Sequence, residues 1–430
     1  MDQETVMYGS TESADQFESE FTESTSSNDR PLCPTPPPPY EERRVFNIGS
    51  WEFDLLWINL LFAFVVVVGD VGQDISLHLY WLSSSKESTK RCQVIESYFV
   101  LSFGSLSSFV IFGLGALFIR IVFPRHLGEN EKSFPQFSLS LIGLCSALNE
   151  ALAVFAIGTT RTPLYLQIIL GTLTIPLTVL FRRLILRKKP TCRKLLCAGV
   201  VTIVPVVFGL IPLISYPTLK ADFDQTSKED TQSKVLWPLV FAISFVPAAI
   251  MNVLEEKAVK KQNEMSRRGI NLFYFFCWIS FYQLVCTGLM FWVNIIPWFG
   301  NACSIQDFGE KWRCGAKCFF GAAGCDATPG IEGTLFIFMN VLSFVGGANL
   351  LRHAEGATWL AIIMSLSIPV RFIVWSLFSD VSRKWQVKKP DHWLSAELGI
   401  AALVFMFSAA VIYFKGAQEI TLVDAERTER

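Results

Sequence analysis

The chain has 430 residues, 51% of them hydrophobic and 17% charged, with a mean hydropathy of +0.39. Soluble chains carry about 25% charge, so the composition excludes an ordinary soluble globule. A formal net charge of −1 excludes the basic footprint of a nucleic-acid binder.

Residues 1–52 read as a disordered tail on the cytosolic side. "TESADQFESEFTESTSS" is acidic and rich in Ser and Thr, too polar to bury a core. "CPTPPPPYEE" follows and favours polyproline II. Its Pro37, Pro38 and Tyr40 fit a PPxY ligand for a WW-domain ubiquitin ligase, with a stiff linker as the plainer reading. The opening "MDQETVMYGS" has no basic start and no short apolar region, so no cleavable signal peptide is expected and the first span would target the chain.

Ten apolar spans are expected, at about 53–77, 97–120, 135–157, 162–183, 195–215, 235–256, 269–297, 333–351, 356–378 and 395–415. They predict an all-α integral membrane protein, since open sheets cannot lie in lipid. The alternating strands of a β-barrel are missing. Asp70 falls towards the end of the first span within "GDVGQD", and Asn149 and Glu150 fall in the third. A charge at mid-membrane costs about 2.5–3.5 kcal/mol on insertion scales and normally faces a cavity or a partner. Glu150 is therefore the candidate proton-coupling group, with Asp70 next and Asp74 expected in water. The fourth span carries Gln167 and "TLTIPL", with Thr172 and Pro176. The link after it, "RRLILRKKPTCRK", holds seven basic and no acidic residues. A second basic link, 257–268, follows the sixth span. Basic loops stay in the cytosol, which puts both termini there, although 383–389 is also basic and falls on the other side. Residues 216–234 become a lumenal loop and 416–430 a cytosolic tail.

The sixth span ends in "MNVLEE" with Asn252, the seventh carries Gln283 and the eighth Asn340. The ninth carries "SLSIPV", with Ser365 and Pro369, then Arg371. Arg371 can snorkel outward, pair with Asp70 or Glu150, or bind a substrate carboxylate. Between spans seven and eight, 298–332 holds Cys303, Cys314, Cys318 and Cys325. In an oxidising lumen these read as two disulfides, with three connectivities open and a zinc site as the alternative.

"TLTIPL" and "SLSIPV" lie 193 residues apart, Asp70 and Asn252 lie 182 apart, and Asn149 and Asn340 lie 191 apart. A constant offset of five spans implies two five-helix halves, 53–215 and 235–415. An odd number of spans per half makes the halves inverted repeats around a central cavity, the plan of many secondary transporters. Pro176 cannot donate to the Thr172 carbonyl, nor Pro369 to that of Ser365. Each motif is therefore expected to open a polar notch onto the cavity.

Three segments carry a family resemblance. "GTTRTPLYLQIILGTLTIP", "SFYQLVCTG" and the four-cysteine loop 298–332 resemble the chloroquine-resistance-transporter-like family of the drug/metabolite transporter superfamily. The likeness runs over nearly all of 53–415. It implies ten helices in two inverted halves, nested pairs Cys303–Cys325 around Cys314–Cys318, and residence in an acidic vacuole, lysosome or plastid. Substrates across the family range over basic amino acids, peptides, glutathione-like thiols and cationic drugs. The malarial members' drug-determining position falls near "VVGDVGQD", where this chain has acids, so drug export does not carry over.

The reading is a secondary transporter of a small zwitterionic or cationic metabolite, coupled to protons and needing no cofactor or metal. The alternatives are an anion exchanger for nucleotide sugars or phosphate esters, and a membrane scaffold presenting the PPxY motif. Catalysis has little support, because the four histidines are scattered at span edges.

Overall fold

The computed structural model describes residues 45–48, 51–86, 97–122, 134–157, 161–162, 164–187, 192–215, 231–265, 271–297, 299–300, 302–322, 327–353, 356–381, 384–387 and 393–428. They lie within one compact unit, Pro37–Arg430. A hairpin of β1 (Val45–Ile48) and β2 (Trp51–Asp54) leads into α1 (Leu55–Lys86). Then come α2 (Ser97–Val122), α3 (Gln136–Ile157), α4 (Leu164–Gly171), α5 (Thr174–Ile185), α6 (Cys192–Ser215), α7 (Thr231–Met265) and α8 (Leu272–Leu289). A 3-10 turn, Phe291–Ile295, is followed by α9 (Ile305–Phe319), α10 (Thr328–His353), α11 (Ala357–Ser365) and α12 (Ser367–Leu377). A second hairpin, β3 (Phe378–Val381) and β4 (Lys384–Val387), precedes α13 (Trp393–Thr428).

Among the described residues, eight helical stretches are long and apolar enough to cross a membrane: Trp57–Tyr80, Tyr98–Val122, Gln136–Ile157, Val235–Lys260, Leu272–Ile295, Thr328–Arg352, Ala357–Trp375 and Ala396–Phe414. The protein is therefore a multi-pass membrane protein built from helices. Of the other two expected spans, the fourth is split into the short helices α4 and α5, and the fifth is α6. Large apolar side chains such as Phe64, Ile121 and Leu196 point outward, as a lipid-facing surface requires.

Several boundaries differ from the sequence expectation. α1 runs past "GDVGQD" to Lys86, so Asp70 lies near the middle of its span instead of at the end. α7 begins at Thr231, inside the segment expected as a loop, and α13 continues to Thr428 through the expected tail. The cysteine-rich segment is not irregular either. The Ser304 side chain accepts the Asp307 N–H at 3.2 Å and starts α9, a standard N-cap. Pro37, Pro38, Tyr40 and Cys325 lie outside the described residues.

Close helix approach rests on glycine. A Cβ on Gly69 of α1 would stand 2.7 Å from the Ser343 nitrogen of α10, and one on Gly346 of α10 would meet Val66 at 2.9 Å. Small residues at such crossings let backbones pack without a hydrophobic driving force. Gly143 does the same between α3 and α8, where a Cβ would meet Tyr282 at 2.7 Å. α4 packs against α12, and α5 against α11. The two helical tracts that carry the repeated proline motif thus lie side by side.

Candidate functional site

Both tracts break at the repeated motif. α4 ends at Gly171 and α5 restarts at Thr174; α11 ends at Ser365 and α12 restarts at Ser367. Pro176 and Pro369 are each the third residue of the restarted helix. In a first turn no intrahelical donor is required, so proline is tolerated there. The motif therefore marks a break and restart, not a bend in one continuous helix.

The break does not leave the expected open notch on the first tract. The Thr172 carbonyl accepts the Ile175 N–H at 3.2 Å, because the chain tightens to i→i+3 bonds across the gap. The Thr172 hydroxyl turns back to the Ile169 carbonyl at 2.8 Å, and the Ser365 hydroxyl to that of Ile362 at 2.6 Å. Both residues are buried. Gln167 is also occupied locally, donating to the Thr162 carbonyl at 2.7 Å.

The acids behave differently. Arg371 of α12 donates through Nη2 to Asp70 Oδ2 at 2.8 Å, and its Nη1 lies 3.4 Å from Asp74 Oδ1. The Ser367 hydroxyl donates to the same Asp70 oxygen and accepts from Arg371 Nη2 at 2.7 Å. Arg371 thus pairs inward and does not snorkel, and Asp74, expected in water, is drawn into the cluster. One turn beyond Asp74, the His78 ring meets Trp375 edge-on with centroids 4.6 Å apart. Two carboxylates thus face one guanidinium between α1 and α12.

A second polar group sits between α2, α3 and α8. Glu150 lies beside Gln283, whose Nε2 reaches the Ser105 hydroxyl at 3.4 Å. Gly143, two turns before Glu150, makes the close α3–α8 approach that this contact needs. Asn252 and Asn340 are buried, and Asn149 is half-buried; the structure does not gather them into either cluster.

A third cluster was not foreseen. Glu256 of α7 is fully buried. Its Oε1 accepts from Arg182 of α5 at 3.0 Å and from Lys260 at 2.7 Å, and its Oε2 from the Ala357 N–H at 2.8 Å. The carboxylate caps the N-terminus of α11, where orphan N–H groups favour negative charge. Gly356 makes room for it: φ is +125°, and a Cβ there would stand 2.2 Å from Glu256 Oε1. Thr358 and Tyr413 complete the cluster around Arg182. In the sequence Arg182 counted only as a basic-link charge. The usable signal was Glu256, which matches Asp74 across the repeat at the same 182 offset as Asn252 and Asp70.

Three of the four loop cysteines, Cys303, Cys314 and Cys318, lie among the described residues. Cys314 and Cys318 are disulfide-bonded, but Cys303 is an exposed free thiol. It lies before α9, with its N–H held by Asp307 Oδ2 at 2.9 Å; Cys325, its expected partner, lies outside the described residues. Lys311 also donates to Asp307 at 2.8 Å. That bond and the Cys303 N–H hold the Asp307 carboxyl below its usual range.

The sequence model of the CRT-like family, chloroquine-resistance transporter-like, matches residues 89–413, well over half of the chain. The chain belongs to the CRT-like family. CRT-like proteins are membrane transporters and not enzymes. The chain is also similar to Crt homolog 2 of Dictyostelium discoideum, with 25% identity over 292 residues, covering 62% of this chain and 56% of that relative. The matched stretch is thus little more than half of the relative's length. The CRT-like match takes in Glu150, Gln283, both broken tracts, Glu256 and Arg371, and begins after Asp70 and Asp74.

Proposed function

We propose that this CRT-like chain is a secondary active transporter. It moves a small zwitterionic or cationic metabolite (an amino acid, a peptide or a thiol peptide) across the membrane of an acidic organelle by alternating access. The observation that carries the reading is the Asp70–Asp74–Arg371 cluster. Two carboxylates that share one guanidinium within a membrane span keep acceptor capacity that suits an amine or a proton. The same cluster disfavours the anion exchanger, because Arg371, the cation that reading depends on, is taken by two carboxylates. Ten spans in two inverted halves fit the side-by-side packing of the broken tracts. Glu150, beside Gln283, is the proton-coupling group of this scheme.

Uptake into proteoliposomes of a mixed panel, with and without a pH gradient, tests the reading. Basic amino acids, peptides and thiol peptides should accumulate when the gradient is applied, and nucleotide sugars should not. Accumulation confined to phosphate esters would overturn it.

A further inference from the structure

The two ionic clusters between helices follow one rule. On one side, acids of α1 (Asp70 and Asp74) hold an arginine of the broken tract α11–α12 (Arg371). On the other, an acid of α7 (Glu256) holds an arginine of the broken tract α4–α5 (Arg182). In the two-halves scheme, α1 and α7 open their halves, and the broken tracts stand fourth in theirs. Each half's first helix thus grips the other half's fourth.

The repeat offset links the acids alone: Asp74 and Glu256 correspond, whereas Arg182 lies six residues after Pro176 and Arg371 two after Pro369, so the arginines share a restarted helix but not a repeat position. The clusters lie on opposite sides of the two breaks, one at helix ends and the other from mid-span outward. Glu256 sits where α5 and α7 run out to the basic links and α11 begins. Asp74 and Arg371 sit on α1 and α12 beyond the breaks, away from those links.

We propose that Arg182–Glu256 and Arg371–Asp70/Asp74 are paired latches, each closing one end of the transporter. Arg182 and Glu256 are positioning residues of the transport cycle, and opening at the basic-link end requires Glu256 to release both Arg182 and the start of α11. Both ion pairs are formed in this structure, and Ser365 at the break is buried. The inference rests on the alternating-access reading above, and it predicts opposite effects from chemically similar substitutions.

The test uses the full chain in vesicles with a single reporter, Ser365→Cys, and a membrane-impermeant maleimide applied to one side at a time. The exposed native cysteines, Cys192 and Cys303 among the described residues, and those outside the described residues are replaced by Ser beforehand. Glu256→Gln should raise reporter labelling from the basic-link side by about ten-fold or more, a shift that needs only ~1.4 kcal/mol, and should not raise it from the other side. Asp74→Asn should do the reverse. The neutral pair Arg182→Gln with Glu256→Gln avoids an unpartnered buried charge and should show the same sidedness as Glu256→Gln, which keeps the test valid if the single variant fails to fold. Changes on the same side for both latches, or a reporter inert from both sides in folded variants, would overturn the proposal. The readout needs no substrate. A failed uptake panel with opposite labelling leaves the latches standing; uptake with same-sided labelling removes the latches alone.

Discussion

Replacing Gly356 by alanine tests the Glu256 cluster at its tightest point. The residue sits at φ +125° and ψ −161°, a region that costs a side-chain-bearing residue about 1–3 kcal/mol. The new Cβ would stand 2.2 Å from Glu256 Oε1, far inside van der Waals contact, so the carboxylate must move by more than an ångström or so. That movement breaks the 2.8 Å bond to the Ala357 N–H or the 3.0 Å bond to Arg182. Hydrogen bonds to charged groups are worth about 1.5–3 kcal/mol each. Strain and one lost bond together predict about 3–6 kcal/mol. Purified Gly356→Ala in detergent should melt roughly 5–10 °C below the parent protein by tryptophan fluorescence. Gly199→Ala on α6 is the control, because a Cβ there meets nothing within 4 Å; it should be neutral or stabilise by about 0.5–1 kcal/mol. Glu256→Gln combined with Gly356→Ala should cost less than the sum of the two, since both act on one contact. A Gly356→Ala protein that melts with the parent, or strict additivity in the double variant, would refute the argument.

Four more outcomes are expected. Glu150→Gln keeps the size and most hydrogen-bonding capacity of the side chain but cannot release a proton, so substrate binding should persist while pH-driven accumulation falls about ten-fold or more; an unchanged pH profile would move the role to Asp70. On intact, unreduced protein, Cys303 should alkylate at once and Cys314 and Cys318 only after reduction, which peptide mapping reads directly. Asp307 has a lowered carboxyl pKa, so its contribution is complete above the ordinary value near 3.8 and is lost as pH falls through the lower folded value. Hydrogen exchange of 303–319, corrected for intrinsic rate, should match at pH 7 and 5 and rise near pH 3, and Asp307→Asn should remove that rise. Deleting residues 1–46 should leave uptake intact while altering turnover or sorting; lost uptake in correctly placed protein would contradict this.

Much of the architecture follows from patterns that lipid makes strict. A span needs an unbroken apolar run, and most of the expected runs are helices near their expected places. The repeated "TLTIPL" and "SLSIPV" located both helix breaks, because a missing amide hydrogen is a local property. The fate of the Thr172 carbonyl was not legible, since it depends on how the next turn tightens around Ile175. Pairings between distant helices were legible only as costs: Arg371 needed a partner, but Asp70, Glu150 and a substrate were equal candidates until α1 and α12 lay together. Arg182 shows the opposite problem. In a run of seven basic residues its charge looked like orientation, and only the fold shows Glu256 waiting for it. Gln167 looked like a cavity residue, although the nearest acceptor was the Thr162 carbonyl five positions back.

Helix α9 has a practical use that follows from how it is fastened. The Trp312 indole donates to the Ser102 hydroxyl at 3.0 Å, and Gly315 lets the helix press onto Phe99, where a Cβ would stand 3.0 Å from the ring. Phe319 packs on Phe99 and Phe103. Gln306, Glu310, Arg313 and Lys317 form an exposed polar stripe on the far face. An antibody fragment raised to that stripe would grip a helix bolted to α2 instead of a pliant connection. It would give electron microscopy a fiducial standing clear of the detergent belt, and its tilt against the particle would report how α2 moves.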